Sequence, residues 1–412
     1  MPVVDASASK LLIELEAARK QSDQLFSILK PEFLYRRPIA ERHRVIFYLG
    51  HLDGFDSIQI CREGLGLKSP DQELDALFQA GIDPDSAHLP SDTPQEWPSI
   101  DDVRAYVNRC RDHVNRALET VSEDVVLQAV EHRLMHLETL AYMFHNFEYR
   151  AKNLALAVPL GPKSQENVEN DWVFVPEGVA TLGKPHDGQF GWDNEYEETA
   201  RAVPAFRIQR YSVTNGEYLR FVEKTGAPVP LFWVQNEDGC FFYRGMFEQI
   251  PLPLDWPVYL THDQAAAYAR WMGKDLPTEE QFHRAAYASP DGHERPFPWG
   301  TTEPSSVDGN FDCRRWDPES VTAAPETQSA WGVRQIVGNG WQWTNTIFAP
   351  LPGFRPSRTY PGYSANFFDG EHYVMKGGSA QTAARLLRRS FRNWFRHDYP
   401  YMYAGFHCVE NL

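Results

Sequence analysis

Apolar positions recur at helical spacing through residues 123–150. At about 100° per residue, Val125, Ala129, Leu140, Met143 and Phe147 fall within about 80° of the direction shared by His132 and His136. Upstream, Leu11, Leu12, Leu15 and Ala18 share one face of a helix expected over residues 6–30. After Pro31 and Pro38, Tyr48, His51, Phe55 and Ile58 are spaced i, i+3, i+7 and i+10 and predict a helix over 40–63. A Pro- and Asp-rich loop over 81–98 leads to Ser99-Ile100-Asp101-Asp102, whose carboxylates suit the first turn of a helix reaching about 120. Ser122 is placed to cap the fourth helix, and four helices so connected predict an up-and-down bundle over 1–156.

Residues 157–170, with Pro159, Gly161, Pro162 and Ser164, lack periodicity and read as a linker. From 171 to 412 the pattern changes to short apolar runs between Gly/Pro turns, with a few helices. Thr214-Asn215-Gly216-Glu217 opens one, Thr261 caps another over 262–272, and Thr278-Glu279-Glu280-Gln281 caps a third. The expected fold class is α+β, with aromatic packing holding the second half together.

Composition narrows the function classes. The 412 residues are 42% hydrophobic and carry 40 Lys+Arg against 56 Asp+Glu, a net −16 that argues against nucleic acid or an anionic membrane as partner. No run approaches 18 apolar residues, and the first residues lack a basic then apolar leader, so a soluble, cytoplasmic protein is expected. Five cysteines without a CxxC indicate neither a disulfide framework nor a thiolate zinc site.

The candidate chemistry is imidazole. His132 and His136, four apart, lie one above the other on a helix face directed at the core. Buried imidazoles need partners, since an unsatisfied polar group costs roughly 1–3 kcal/mol, and one metal would satisfy both. Glu138 points about 240° around the helix from His132 and is not an obvious third ligand, so the third is expected from another element. His51, in the buried stripe of another bundle helix, completes a three-histidine site with open positions suited to Zn or Fe(II). His43, His113 and His145 fall off these stripes and are expected at the surface.

Leu49-Gly50-His51 with the HxxxHxE of His132, His136 and Glu138 resembles the DinB-type metal-binding bundle. It is more specifically similar to the N-terminal half of the ergothioneine-forming sulfoxide synthases (EgtB), whose iron is held by three such histidines. The second half carries Trp172-Val173-Phe174-Val175-Pro176-Glu177-Gly178, Leu276-Pro277-Thr278-Glu279-Glu280, Pro298-Trp299-Gly300, Gly338-Asn339-Gly340-Trp341-Gln342-Trp343 and Gly377-Gly378-Ser379 in order. Over 172–409 this resembles the formylglycine-generating, sulfatase-modifying domain, a C-type-lectin-like fold. The usual GNVWEW reads GNGWQW here, and no cysteine follows Ser379, so copper-thiolate formylglycine chemistry is not expected. The two-part layout is that of EgtB and of the selenoneine synthases (SenA).

That resemblance implies Fe(II) and three small-molecule substrates: hercynine, O2 and a selenosugar or thiol donor. It assigns Tyr360 or Tyr363 to proton delivery, Trp394 to the trimethylammonium and Asn393 to the carboxylate of hercynine, bound where the two halves meet. Met135 stands where many EgtB enzymes have Gln, and Phe395 where those using γ-glutamylcysteine have Asp. The stretch 81–99 holds Asp83, Asp85 and Asp92 and no arginine, so a dianionic peptide donor would meet no identified counter-charge there. A neutral seleno- or thiosugar, stacking on Trp97 or Phe395, avoids that conflict, and the expectation leans to the selenoneine-synthase branch. An ergothioneine-type synthase with a cysteine-derived thiol, a zinc-dependent DinB-type thiol transferase and a non-catalytic ligand-binding protein are the alternatives.

Overall fold

The computed structural model describes residues 6–79, 89–158, 160 and 168–412. The chain divides into two compact units, Met1–Ala157 and Val158–Leu412. Most of the linker expected over 157–170, and the acids Asp83 and Asp85, lie outside the described residues.

The first unit is helical. Its elements are α1 (Ala6–Phe26), α2 (Val45–Asp56), α3 (Gln72–Phe78), α4 (Ile100–Ala117) and α5 (Glu123–His145). α2 runs on without a break into a π-helical stretch, Ser57–Glu63. Helix α2 starts later than its apolar stripe indicated, because residues 34–36 fold back over its first turn. Leu34 and Arg36 there offer their carbonyls to the N–H groups of Ile46 and Val45. Helix α5 stops at His145 rather than 150, because Asn146 closes it: its backbone N–H and side-chain amide both donate to the Tyr142 carbonyl. Short α3 was not expected; Asp71 caps it by accepting from the Leu74 N–H.

α5 differs from its reading in kind. It is buried on nearly every side from Val126 to His145, so it is a central helix and not an amphipathic one. His145 is therefore buried, not superficial, and Arg133 is 0% exposed. Arg133 reaches α2 and α1: its guanidinium donates to Asp53 at 2.8 Å, Asp56 at 2.6 Å and the Ser22 hydroxyl at 3.0 Å. Arg111 on α4 joins the cluster by bonding both Asp53 and Asp23. Burial pushes both α2 carboxyls up; the three cations around Asp53 outweigh it and hold that group below the ordinary range, while Asp56 stays raised.

Among the described residues the second unit has four small sheets and three capped helices. Strands β1 (Trp172–Val175), β2 (Gly178–Leu182), β3 (Thr199–Val203) and β4 (Phe206–Gln209) precede α6 (Asn215–Thr225). Strands β5 (Trp233–Gln235), β6 (Phe241–Arg244) and β7 (Gln249–Pro251) lead to α7 (His262–Trp271) and α8 (Glu279–Tyr287). The chain closes with β8 (Trp341–Ile347), β9 (His372–Lys376), β10 (Asn393–Arg396), β11 (Ala404–Gly405) and β12 (Val409–Asn411). The sheet orders are β1-β4-β12, β10-β9-β8-β11, β2-β3 and β5-β6-β7. Thr214, Thr261 and Thr278 each close a capping box with Glu217, Gln264 and Gln281, as their spacing predicts. The core joins Val175, Phe206 and Ile208 of the first sheet to Phe282 and Tyr287 of α8 and to Ile336. Among the described residues no helix is long and apolar enough to cross a membrane.

Removing one partner of a buried ion cluster leaves an uncompensated charge, at about 3–5 kcal/mol. Arg133→Leu is therefore expected to destabilise the helical unit by about that amount. Urea unfolding followed by far-UV circular dichroism checks it, and a loss below about 1 kcal/mol would deny the cluster its organising place.

Candidate metal centre

His51 leaves α2 at the point where α3 comes closest. Gly50 permits the approach: a Cβ built there would stand 2.5 Å from the Phe78 ring. That fit delivers the Phe78 carbonyl to His51, whose Nδ1–H donates to it at 2.7 Å. The bond fixes the tautomer, so Nε2 carries a lone pair and no proton. The His51 ring is stacked on Phe47 at 4.8 Å and lies tilted against Phe55 at 6.1 Å. Phe55 also stacks on His132 at 3.4 Å between centroids.

His132 and His136 converge from α5, their Nε2 atoms 3.1 Å apart. One nitrogen from each of His51, His132 and His136 lies within 4.8 Å of the others, and all three rings are buried. The residues fit a divalent metal. Nitrogens bound at about 2.0–2.1 Å around one ion sit roughly 3 Å apart, as the α5 pair does. His51 Nε2, an acceptor in this tautomer, is buried without a hydrogen-bond donor. Burial pushes the His51 imidazole down to about 4, and burial with neighbouring imidazoles and arginines pushes His132 and His136 well below 6.5. All three are therefore neutral and ready to ligate at neutral pH.

Glu138 is buried but outside this group, and Met135 is half-buried on α5 beside His136. The loop before α4 corrects one charge argument. Asp92 is not without a counter-charge: Arg37 and Arg44, from the segment before α2, both pair with it, and Trp97 Nε1 donates to it at 2.7 Å. The sequence reading missed these arginines because it searched only the loop. It also missed Phe47, although its i−4 spacing from His51 was visible.

In the second unit the structure brings most of the expected residues together. Trp394 on β10 stacks on Phe348 at 4.3 Å, takes the edge of Tyr363 at 5.2 Å, and lies 5.6 Å from Phe367. Tyr363 is buried and stacks on Trp192 at 3.9 Å; Tyr360 is half-buried, 5.9 Å from Tyr363. β10 pairs with β9 in unbroken register, so neighbouring side chains point to opposite faces. Phe395 is accordingly separated from Trp394: it stacks on Tyr399 at 5.1 Å, on the face it shares with Asn393. A single pocket holding Trp394 and Phe395 side by side is not what this strand presents.

Comparison with known proteins agrees with this two-part architecture. Residues 159–412 match the sulfatase-modifying factor enzyme 1-like domain, and residues 14–150 match the DinB superfamily. Ergothioneine biosynthesis protein 1 of Neurospora crassa is 28% identical over 93% of this chain and 56% of its own length. Its namesake in Schizosaccharomyces pombe is 29% identical over 93% and 54%. The chain thus spans about half the length of these two fungal relatives. The hercynine oxygenase of Mycolicibacterium smegmatis is 32% identical over 94% of both chains. The class is thereby defined as a DinB-type helical bundle followed by a C-type-lectin-like, sulfatase-modifying α+β domain. Within it, the chain belongs to the hercynine oxygenase (EgtB) family.

The neutral imidazoles have a consequence for pH. Between the ordinary value of 6.5 and about 4, the unfolded chain binds a proton at His51 that the folded chain refuses. The metal-free protein should therefore lose stability as pH falls through that window, and His51→Gln should flatten the slope by up to about one proton. Urea midpoints of metal-free wild type and variant at pH 7, 6 and 5 check this. Parallel slopes would show that His51 titrates normally.

Proposed function

We propose that this protein is an O2-dependent nonheme iron enzyme that forms a carbon–selenium or carbon–sulfur bond on the imidazole ring of hercynine. The observation that carries the reading is the buried group of His51, His132 and His136, whose donor set and tautomer suit Fe(II), in a chain of the hercynine oxygenase family. Bound Fe(II) would supply O2 activation and gather the substrate imidazole and the chalcogen donor. Every other requirement falls on side chains.

Trimethylammonium cannot donate hydrogen bonds, so an aromatic surface is its natural receptor, and Trp394 in its aromatic cluster is assigned to it. Asn393 projects from the face of β10 opposite Trp394, so the carboxylate of the same hercynine is not assigned to it. The phenol O–H of Tyr360 or Tyr363 is assigned to proton delivery, since a positioned phenol contributes as a general acid without being a ligand. Met135 in the first unit and Phe395 in the second each put an apolar group where relatives carry Gln and Asp, and each change by itself favours a neutral sugar selenol or thiol as the donor. Asp92 drops out of the donor argument, being already neutralised by Arg37 and Arg44. A selenol is also more acidic than a thiol and would arrive ionised.

Three outcomes are expected. Replacing His51, His132 or His136 by Ala should sharply reduce iron occupancy measured after anaerobic reconstitution. Stoichiometric iron in all three variants, or tight uptake of zinc with no oxygen-dependent product, would remove the iron reading. Trp394→Ala should weaken hercynine binding by up to about thirtyfold, the equivalent of a cation–π contact of about 2 kcal/mol. Equal calorimetric affinities of wild type for hercynine and histidine would dismiss the aromatic receptor. Offered selenosugar, thiosugar, cysteine and γ-glutamylcysteine together with hercynine and O2, the enzyme should prefer the selenosugar by kcat/KM. A preference for γ-glutamylcysteine would return it to the ergothioneine branch.

A further inference from the structure

The turn Trp192-Asp193-Asn194-Glu195 has no place in the reading above, yet it contacts each segment that the reading uses in the second unit. The Asp193 carboxylate is buried and splits its two oxygens between the ends of one loop. Oδ2 accepts from the Ser357 backbone N–H at 3.1 Å, and Oδ1 accepts from the Ser364 hydroxyl at 2.6 Å. Between those ends stand Tyr360 and Tyr363. Inside the loop the Tyr360 N–H donates to the Ser357 hydroxyl at 3.2 Å, and the Tyr363 N–H donates to the Tyr360 carbonyl at 3.1 Å. The adjacent Trp192 covers the Tyr363 ring.

The same turn holds the strand that carries Trp394. Glu195 is fully buried and accepts from Arg388 at 2.8 Å and from the Ser390 hydroxyl at 2.7 Å. The Asn194 carbonyl faces Arg392 at 3.4 Å, and Arg392 is itself clamped by Glu279 at 2.9 and 3.0 Å. Four consecutive residues therefore set the tyrosine loop and the Asn393–Trp394 strand against one another. A carboxylate buried away from cations needs a reason, since burial pushes the Asp193 acid up and only neutral donors hold it.

We propose that Asp193 is a positioning residue: by pinning both ends of the 357–364 loop it holds the Tyr360–Tyr363 pair at the aromatic surface of Trp394. The proposal rests on the assignment of proton delivery to one of these tyrosines. Asn at 193 can keep both contacts, its carbonyl accepting from Ser357 N–H and its amide donating to the Ser364 hydroxyl. Ala can keep neither.

Two measurements test it. The first is amide hydrogen exchange on the full chain without substrates. Asp193→Ala should speed exchange in 357–364 by tenfold or more and leave α5 and the β1-β4-β12 sheet protected, while Asp193→Asn behaves as wild type. Unchanged exchange in 357–364 overturns the proposal whatever the protein catalyses. The second is a double-mutant cycle on turnover with Tyr360→Phe and Tyr363→Phe. A misplaced proton donor costs about a hundredfold, so Asp193→Ala should lower kcat by that order with hercynine KM within about twofold. In the background of the tyrosine through which it acts, it should cost nothing further. Additive losses with both tyrosines overturn the proposal. Absence of any hercynine product from wild type refutes the functional reading instead and leaves the exchange experiment to decide on Asp193.

Discussion

Arg133 is buried one residue from His132, and its partner Asp53 lies two residues from His51. This ion cluster sets the rotational phase of the two helices that carry the imidazoles. On α5 the guanidinium stands about 60–100° around from the two histidines, and on α2 the carboxylate stands about 200° from His51. With Arg133 paired to Asp53 and Asp56 and bonded to Ser22, the histidines of both helices face one buried interior. A half-turn slip of either helix would bury an unpaired charge and scatter the ligands together. An apolar replacement of matched volume is often as stable as a buried ion cluster, so its value here lies in specifying register.

The imidazole group follows from that register and adds a constraint of its own. Three neutral nitrogens converge where desolvation disfavours protonation, and the Phe78 carbonyl turns His51 so that its lone pair faces inward. Gly50, Phe78 and the stacked Phe47 and Phe55 leave the ring little rotational freedom. Such support is what a metal site requires, because ligand orientation is set by the partner of the second ring nitrogen.

Much of this was legible in the chain. His132 and His136 announce themselves by spacing alone, and His51 by its place in an apolar stripe, because burial of a helix face follows the 3.6 period. What was hidden depends on contacts between residues far apart in sequence. The role of Arg133 could not be read because its partners lie 77 to 111 residues away. His145 read as superficial because a stripe was assumed where the helix is buried all round. Asp92 read as unneutralised because Arg37 and Arg44 belong to another segment. The opposite facing of Trp394 and Phe395 needed only the period of a strand, but β10 is four residues long, too short for its alternation to stand out.

The second unit shows what replaces regular ladders in so irregular a domain. Its strands are short, and the segments near Trp394 are tied by buried charge: Glu195 to Arg388, Glu279 to Arg392, and Lys376 to backbone carbonyls, its ammonium pushed down to about 8 by burial. Gln342, where the related domains carry a glutamate, obeys the same logic in reverse. Its carbonyl accepts from His407 Nδ1–H at 2.8 Å, and its amide donates to the Ser212 hydroxyl at 3.0 Å and the Gly340 carbonyl at 3.1 Å. Burial holds His407 neutral, down to about 3. A glutamate here would carry a charge against a neutral imidazole and a carbonyl, whereas the amide matches every neighbour with the correct donor or acceptor. The Gln342 side chain is therefore satisfied without an ion. In this chain the convergent, proton-free nitrogens stand in the helical unit, and the second unit supplies aromatic surface and fixed geometry.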